Sequence, residues 1–260
     1  MIELVNSARV ALDAGKVSVG VGIRLARTAD IGSMMKTAGM DWLFIDLEHG
    51  SLSLDQTQQM ATAGLGAGIA SIVRVPRGEL AMATRALDGG ALGIVSPMCE
   101  SADEAQEIVD RLHYPPEGRR SVVGGLPQFG FGTPPLAEAI EAMNRAMLVV
   151  VMIETPTGVA NADAIAAVEG VDVVLIGTND LAASSGIPGQ VGHEKIVAYY
   201  EQVAAACRKH GKWMGMGGVP QPELQQKYIG MGVRFLLAGQ DLSYLIAAAK
   251  DTVDRVKTYM

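Results

Sequence analysis

The chain has 260 residues, 49% of them hydrophobic and 19% charged, with a formal net charge of −7 at pH 7. That length matches one (β/α)8 barrel and the apolar share is ample for a large core, so a single domain over 1–260 is expected. An acidic balance without a basic block or a nucleic-acid-reading motif argues against nucleic acid, and no apolar run is long enough to span a membrane.

Residues 3–14 read as an amphipathic helix, a candidate lid for the bottom of a barrel. Apolar strand-like runs follow at 17–25, 42–47, 69–75, 92–95, 147–153, 171–176, 213–216 and 235–238. Helix-like segments lie between them at 54–63, 81–87, 102–112, 159–168, 195–209 and 242–257, and an extra helix over 136–143 follows a long loop, 114–135. This alternation implies parallel strands joined by crossovers. Eight runs point to a closed (β/α)8 TIM barrel, although a doubly wound open sheet produces the same pattern. Cys99 and Cys207 give neither a disulfide framework nor a metal-type spacing, and the N-terminus has no basic-then-apolar leader pattern. A reduced, cytoplasmic protein is the expectation.

The ends of the runs carry the chemistry. The second ends in Asp46-Leu47-Glu48-His49, the third in Arg74, the fifth in Glu154, the sixth in Gly177-Thr178-Asn179-Asp180, the seventh in Gly217-Gly218 and the eighth in Gly239-Gln240-Asp241. The fifth stops abruptly at Glu154, where Pro156 suits the first turn of a helix and Thr155 its N-cap. In a barrel these groups converge on the C-terminal face, where chemistry is placed. A barrel with a purely structural role has little reason to put charge at so many of these ends.

Glu154 and Asp180, an oxygen-only pair without a histidine or cysteine cluster, suit Mg2+ or Mn2+ better than zinc. A general acid–base pair, or an acid bridged to Arg74, fits the same residues. His49 offers an imidazole, the side chain suited to moving protons at such a site, and Arg74 is a fixed cation for a carboxylate or a developing enolate oxygen, or a partner for Asp46 and Glu48. The lysines fall in predicted helices or at strand starts, as Lys212 does, which argues against Schiff-base chemistry. Asn179-Asp180 opens a short helix over 181–184 whose free N–H groups suit a substrate carboxylate. Gly217, Gly218 and Gly239 fit either a phosphate site or tight turns.

Together these motifs resemble the HpcH/HpaI aldolase family. Asp-x-Glu-His, the closing Arg74, Ile153-Glu154-Thr155 and Gly-x-x-Asp-Leu occur in the family's order. Leu87-Asp88-Gly89-Gly90-Ala91 and Tyr114-Pro115-Pro116-Glu117-Gly118-Arg119-Arg120 also resemble its patterns, and the likeness spans about 22–245. It implies a divalent-metal-dependent class II aldolase of the citrate lyase β and pyruvate-phosphate barrel group. Such an enzyme cleaves a 4-hydroxy-2-oxo acid reversibly to pyruvate, or a related 2-keto acid, and an aldehyde, through an enolate.

By the same resemblance Glu154 and Asp180 bind the metal (Mg2+ or Mn2+, with Co2+ a further option) and His49 serves as acid–base. Arg74 stabilises the enolate, while Gly177, Thr178 and the backbone of Asn179 and Asp180 hold the carboxylate. Asp88 matches an acid that in such enzymes acts from an adjacent subunit. The implied assembly is a homo-oligomer, a hexamer built as a trimer of dimers that exchange the C-terminal helix, for which 242–259 is the candidate.

The chain departs from the family pattern in three places. It has Met152 where members often have Gln, Gly-Thr-Asn-Asp where many have Gly-Pro-Ala-Asp, and Val75-Pro76-Arg77-Gly78 in place of a Pro-aromatic loop. These leave the aldehyde partner open. Three other readings compete. A CoA-thioester lyase of the citrate lyase β type wants a basic surface that this acidic chain does not provide. A phosphoenolpyruvate-type barrel predicts phosphate ligands near Gly217-Gly218. A non-catalytic keto-acid-binding protein predicts binding without turnover.

Overall fold

A computed structural model describes residues 2–259. Eight parallel strands close into a barrel in sequence order: β1 Ser18–Ile23, β2 Trp42–Asp46, β3 Ala70–Arg74, β4 Gly93–Ser96, β5 Leu148–Ile153, β6 Val173–Gly177, β7 Trp213–Gly217 and β8 Val233–Gln240. Pairing of β1 with β8 completes the ring and rules out the open-sheet alternative. All eight predicted runs are strands. The first ends at Ile23, so Arg24 and Leu25 belong to the following loop, and β8 is longer than its run at both ends.

Alternation along the strands sorts the core into two layers. Trp42, Phe44, Ile72, Leu148, Val150, Met152, Val173, Leu175 and Phe235 form the cluster inside the barrel. Leu43, Ile45, Val73, Val149, Val151 and Ile153 point outward against the helices. Trp42 stacks on Phe235 with ring centroids 4.0 Å apart. A Cβ on Gly20 would run into the Trp42 indole, so a residue without a side chain is what admits the ring. Helix α1, Ser7–Asp13, adds Ala8 and Leu12 to the same cluster and closes the barrel bottom, as expected of the first helix. It starts later than predicted, because Asn6 caps it while its Nδ2 donates to the Leu92 and Ala146 carbonyls.

The outer helices largely follow the predicted order. Two go beyond the predicted segments: α2, Ile31–Thr37, a short one with glycine inside it, and α11, Pro222–Met231. The predicted segment 159–168 is instead a pair, α7 Pro156–Ala160 and α8 Ala162–Ala166, separated at Asn161. The last helix, α12 Asp241–Lys257, has no buried residue, and Leu242, Leu245, Ile246, Val253 and Val256 are exposed along it. No helix among the described residues is long and apolar enough to cross a membrane.

Candidate active site

The inward parity holds to the last residue of β2, β3 and β6 and one residue past β5. Trp42 and Phe44 are followed by Asp46, Ile72 by Arg74, Val150 and Met152 by Glu154, and Leu175 by Gly177. These side chains therefore meet above the core, where they line an open cavity of about 190 Å³ together with Arg24, His49, Thr178, Asn179, Asp180, Gly217 and Gln240. No lysine lines it.

Arg74 is held as a rigid fork. Its Nε and Nη2 donate to the two Asp46 oxygens at 2.9 and 2.7 Å, and Nη1 lies 3.0 Å from Glu48 Oε2. Three of its five N–H donors are thus engaged, leaving two for a substrate oxygen. Asp46 Oδ1 also accepts the Glu48 and His49 amides, which fixes the turn carrying His49. Burial alone would raise the Asp46 carboxyl, but the Arg74 guanidinium and these two amides hold it below the ordinary value. His49 projects from that turn with its side chain 55% exposed and Nε2 3.7 Å from Glu48 Oε2.

Glu154 is buried, follows β5 directly, and is anchored on one side only: Met98 donates its amide to Oε2 at 2.8 Å. Met98 reaches it from the left-handed region, φ 56°, a conformation that costs a residue with a Cβ on the order of 1–2 kcal/mol. Thr155 caps α7 by accepting from the Gly158 amide, with Pro156 in the first turn, as the sequence predicts. Burial pushes the Glu154 carboxyl up to about 7, and the nearby Asp180 and Glu48 charges add to the rise against the Met98 and Arg74 contributions. Gly177 makes room for it, since a Cβ there would lie 2.6 Å from Glu154 Oε1.

Helix α9, Thr178–Ser184, begins three residues earlier than predicted. Its first-turn amides, those of Thr178, Asn179 and Asp180, have no intrahelical acceptors. The Thr178 hydroxyl is already used, because it donates to the Gly217 carbonyl at 2.7 Å and lies 2.7 Å from the buried Tyr200 hydroxyl. Only the Thr178 backbone is therefore left for a ligand. Gly218 has φ +80° and packs against the Asn179 amide, which accounts for a glycine there as a tight turn.

The structure brings His49, Arg74, Glu154, Gly177, Thr178, Asn179 and Asp180 to one cavity and leaves Asp88 out of it. Asp88 ends α4, Leu80–Asp88, on the side leading back into the start of β4. There it accepts from Arg120 Nη2 at 2.6 Å, and Arg120 in turn lies over the Tyr114 ring. Sequence reasoning missed Arg24, Met98 and Tyr200, whereas Gln240, at the end of the eighth run, lines the cavity. No group of three or more His, Cys, Asp or Glu capable of holding a metal occurs among the described residues. The metal-capable set is the carboxylate pair Glu154 and Asp180, which fits a hard divalent ion that keeps waters and takes further oxygens from a substrate.

A family model described as HpcH/HpaI aldolase/citrate lyase matches residues 25–248. The chain belongs to this family. The 4-hydroxy-4-methyl-2-oxoglutarate aldolase tasA of Hapsidospora irregularis is 39% identical to it, over 98% of this chain and 96% of that protein. A 5-keto-4-deoxy-D-glucarate aldolase of Klebsiella pneumoniae subsp. pneumoniae is 33% identical, over 97% of each. The crystal structure of an HpcH/HpaI aldolase from Desulfitobacterium hafniense DCB-2 superposes with a TM-score of 0.90 at 30% identity, covering 96% of both chains.

Proposed function

We infer that this chain cleaves a 4-hydroxy-2-oxo acid reversibly to pyruvate, or a related 2-keto acid, and an aldehyde. It is a carbon–carbon lyase of the class II aldolase type, acting on small-molecule keto acids. The observation that carries this reading is the buried Glu154, whose carboxyl is pushed up beside Asp180 while Arg74 holds two spare donors over the same cavity. A pair of acids so placed calls for a cation between them. We assign Glu154 and Asp180 as its ligands and Mg2+ or Mn2+ as the ion. Bound there, the metal supplies Lewis acidity to the 2-oxo group.

The chain's own groups do the rest. The α9 amides orient the 2-keto acid carboxylate, where the helix terminus favours negative charge. His49 accepts the proton of the C4 hydroxyl as the C3–C4 bond breaks. The bonding electrons pass to the 2-oxo oxygen, where the two free Arg74 donors stabilise the enolate as charge develops. Protonation at C3 then yields the 2-keto acid.

We place the enzyme in the cytoplasm, in keeping with two free, buried cysteines. The exposed apolar residues of α12 support packing against another copy, as in the expected hexamer with exchanged C-terminal helices. The position of Asp88, outside its own chain's cavity, is compatible with service in a neighbouring copy's site. The deciding assay is exchange of pyruvate methyl protons into deuterated water, which needs no aldehyde. Exchange that requires Mg2+ or Mn2+ and disappears in Glu154→Ala is expected. Absence of exchange with every metal, in folded wild-type protein, overturns the reading.

A further inference from the structure

Arg24 is a second cation in the cavity, and unlike Arg74 it has no carboxylate of its own. Its Nη2 donates to the His49 carbonyl at 2.7 Å and its Nη1 reaches the neutral Gln240 Oε1 at 3.5 Å. Its nearest acid, Asp46 Oδ2, is 3.9 Å from Nε and is already taken by Arg74 at 2.7 Å. The Arg24 side chain is 39% exposed against 9% for Arg74, which sets Arg24 toward the cavity mouth. A guanidinium that meets mainly neutral acceptors keeps most of its capacity to bind an anion.

The loop that carries Arg24 is tied on both sides of its backbone. Asp241 accepts the amides of Arg24, Leu25 and Ala26 at 3.1, 2.8 and 2.7 Å. Arg27 Nη1 donates to the carbonyls of the same three residues at 2.8, 2.7 and 3.0 Å, and its Nη2 donates to Ser51 Oγ. So many fixed backbone groups on three residues pre-organise the one side chain that faces the cavity, which lowers the entropic cost of using it for binding.

Resting on the aldolase reading above, we propose that Arg24 recognises a carboxylate on the aldehyde half of the substrate, so that the preferred substrates are 4-hydroxy-2-oxo diacids. The 2-keto acid half is accounted for by Arg74, the carboxylate pair and the α9 amides. Arg24 stands apart from these, beside the His49 turn from which the C4 proton is handled. It is therefore on the side of the cavity where the departing aldehyde carries its substituent. Gln240 lines the cavity beside it, with Oε1 3.5 Å from Arg24 Nη1. The role is one of specificity: Arg24 binds the fragment that leaves, not the atoms that react.

The test compares kcat/KM for addition of pyruvate to two matched pairs of acceptors, glyoxylate against acetaldehyde and 4-oxobutanoate against butanal. Wild type is compared with Arg24→Gln and Arg24→Lys, and pyruvate methyl-proton exchange is followed in the wild type alongside. In at least one pair the preference for the carboxylate-bearing acceptor is expected to fall tenfold or more in Arg24→Gln and to be partly kept in Arg24→Lys. Using the ratio removes both the intrinsic reactivity of the aldehydes and any general loss of active protein. Exchange in the wild type with ratios unchanged by Arg24→Gln overturns this proposal alone. A wild type without exchange removes the aldolase reading and this proposal with it.

Discussion

Replacing Arg74 by methionine separates what the residue does for the fold from what it does for the reaction. Its guanidinium is buried against an equally buried Asp46, through two hydrogen bonds of 2.7 and 2.9 Å. Removing one partner of such a pair strands the other charge in the core, at a cost of about 3–5 kcal/mol. At roughly 2–4 °C per kcal/mol for a chain of this size, the melting temperature of Arg74→Met should drop by about 6–20 °C. The lost donors over the enolate oxygen should cost a further factor of about 10²–10³ in turnover.

The double variant Asp46→Asn/Arg74→Met removes both charges, and Asn keeps an oxygen for the Glu48 and His49 amides. It should regain at least half of the lost stability while pyruvate proton exchange stays at the level of the single variant. Thermal melts and proton exchange on the same samples provide the two readouts. Exchange that recovers together with stability would refute the catalytic role and leave Arg74 a structural partner. Wild-type turnover in Arg74→Met alone would do the same.

Three further outcomes follow from the Glu154 environment and the last helix. The unfolded Glu154 carboxyl ionises near the ordinary 4.5 and the folded one only near 7, so in metal-free protein its contribution to stability is lost as pH rises through that window. Glu154→Gln should abolish this slope in urea titrations, and Mn2+ affinity of the wild type should fall about tenfold per pH unit below 7. A pH-independent Mn2+ affinity between pH 5.5 and 8 would contradict it. Gly177→Ala drives a Cβ to 2.6 Å from Glu154 Oε1, and calorimetry should show Mn2+ binding weakened at least tenfold, about 1.4 kcal/mol. Unchanged binding would mean that Glu154 is not a ligand or is not held by this contact. Ile246→Asp places a charge among the exposed apolar residues of α12, and sedimentation should report a smaller assembly than wild type. An unaltered sedimentation coefficient would remove α12 from the interface.

The barrel and most of the cavity were legible because both depend on local patterns. Apolar runs of strand length, interrupted by helical periodicity, dictate parallel strands, and the abrupt change from Ile153 to Glu154 marks a strand end without any tertiary information. What escaped has a different physical origin. Met98 acts through its amide and its left-handed φ, neither of which a methionine side chain announces. Tyr200 reads as one more core residue of α10, Glu194–His210, and its meeting with Thr178 joins positions 22 residues apart. Asp88 sits in a recognisable motif, yet the end of a barrel helix faces away from the strand ends, so the sequence alone does not say which copy's site it serves.

Arg24 is the instructive case, because a signal for it existed. Extending the first strand through Leu25 buries Arg24 within a regular element and hides its role. Counting side-chain parity from the inward glycines finds it: Gly20 admits Trp42, Gly22 lines the cavity, and Arg24 is the next inward position. The same count from Ile72 reaches Arg74, and from Met152 it reaches Glu154. An exact period of two turns each strand into a pointer that reaches its last residue, as at Arg74, or the one just after it, as at Arg24 and Glu154. For a barrel, then, the residue to ask about is the last one that keeps the inward parity, whether it closes the strand as Arg74 does or follows it as Arg24 and Glu154 do, and its charge states what the cavity is built to hold.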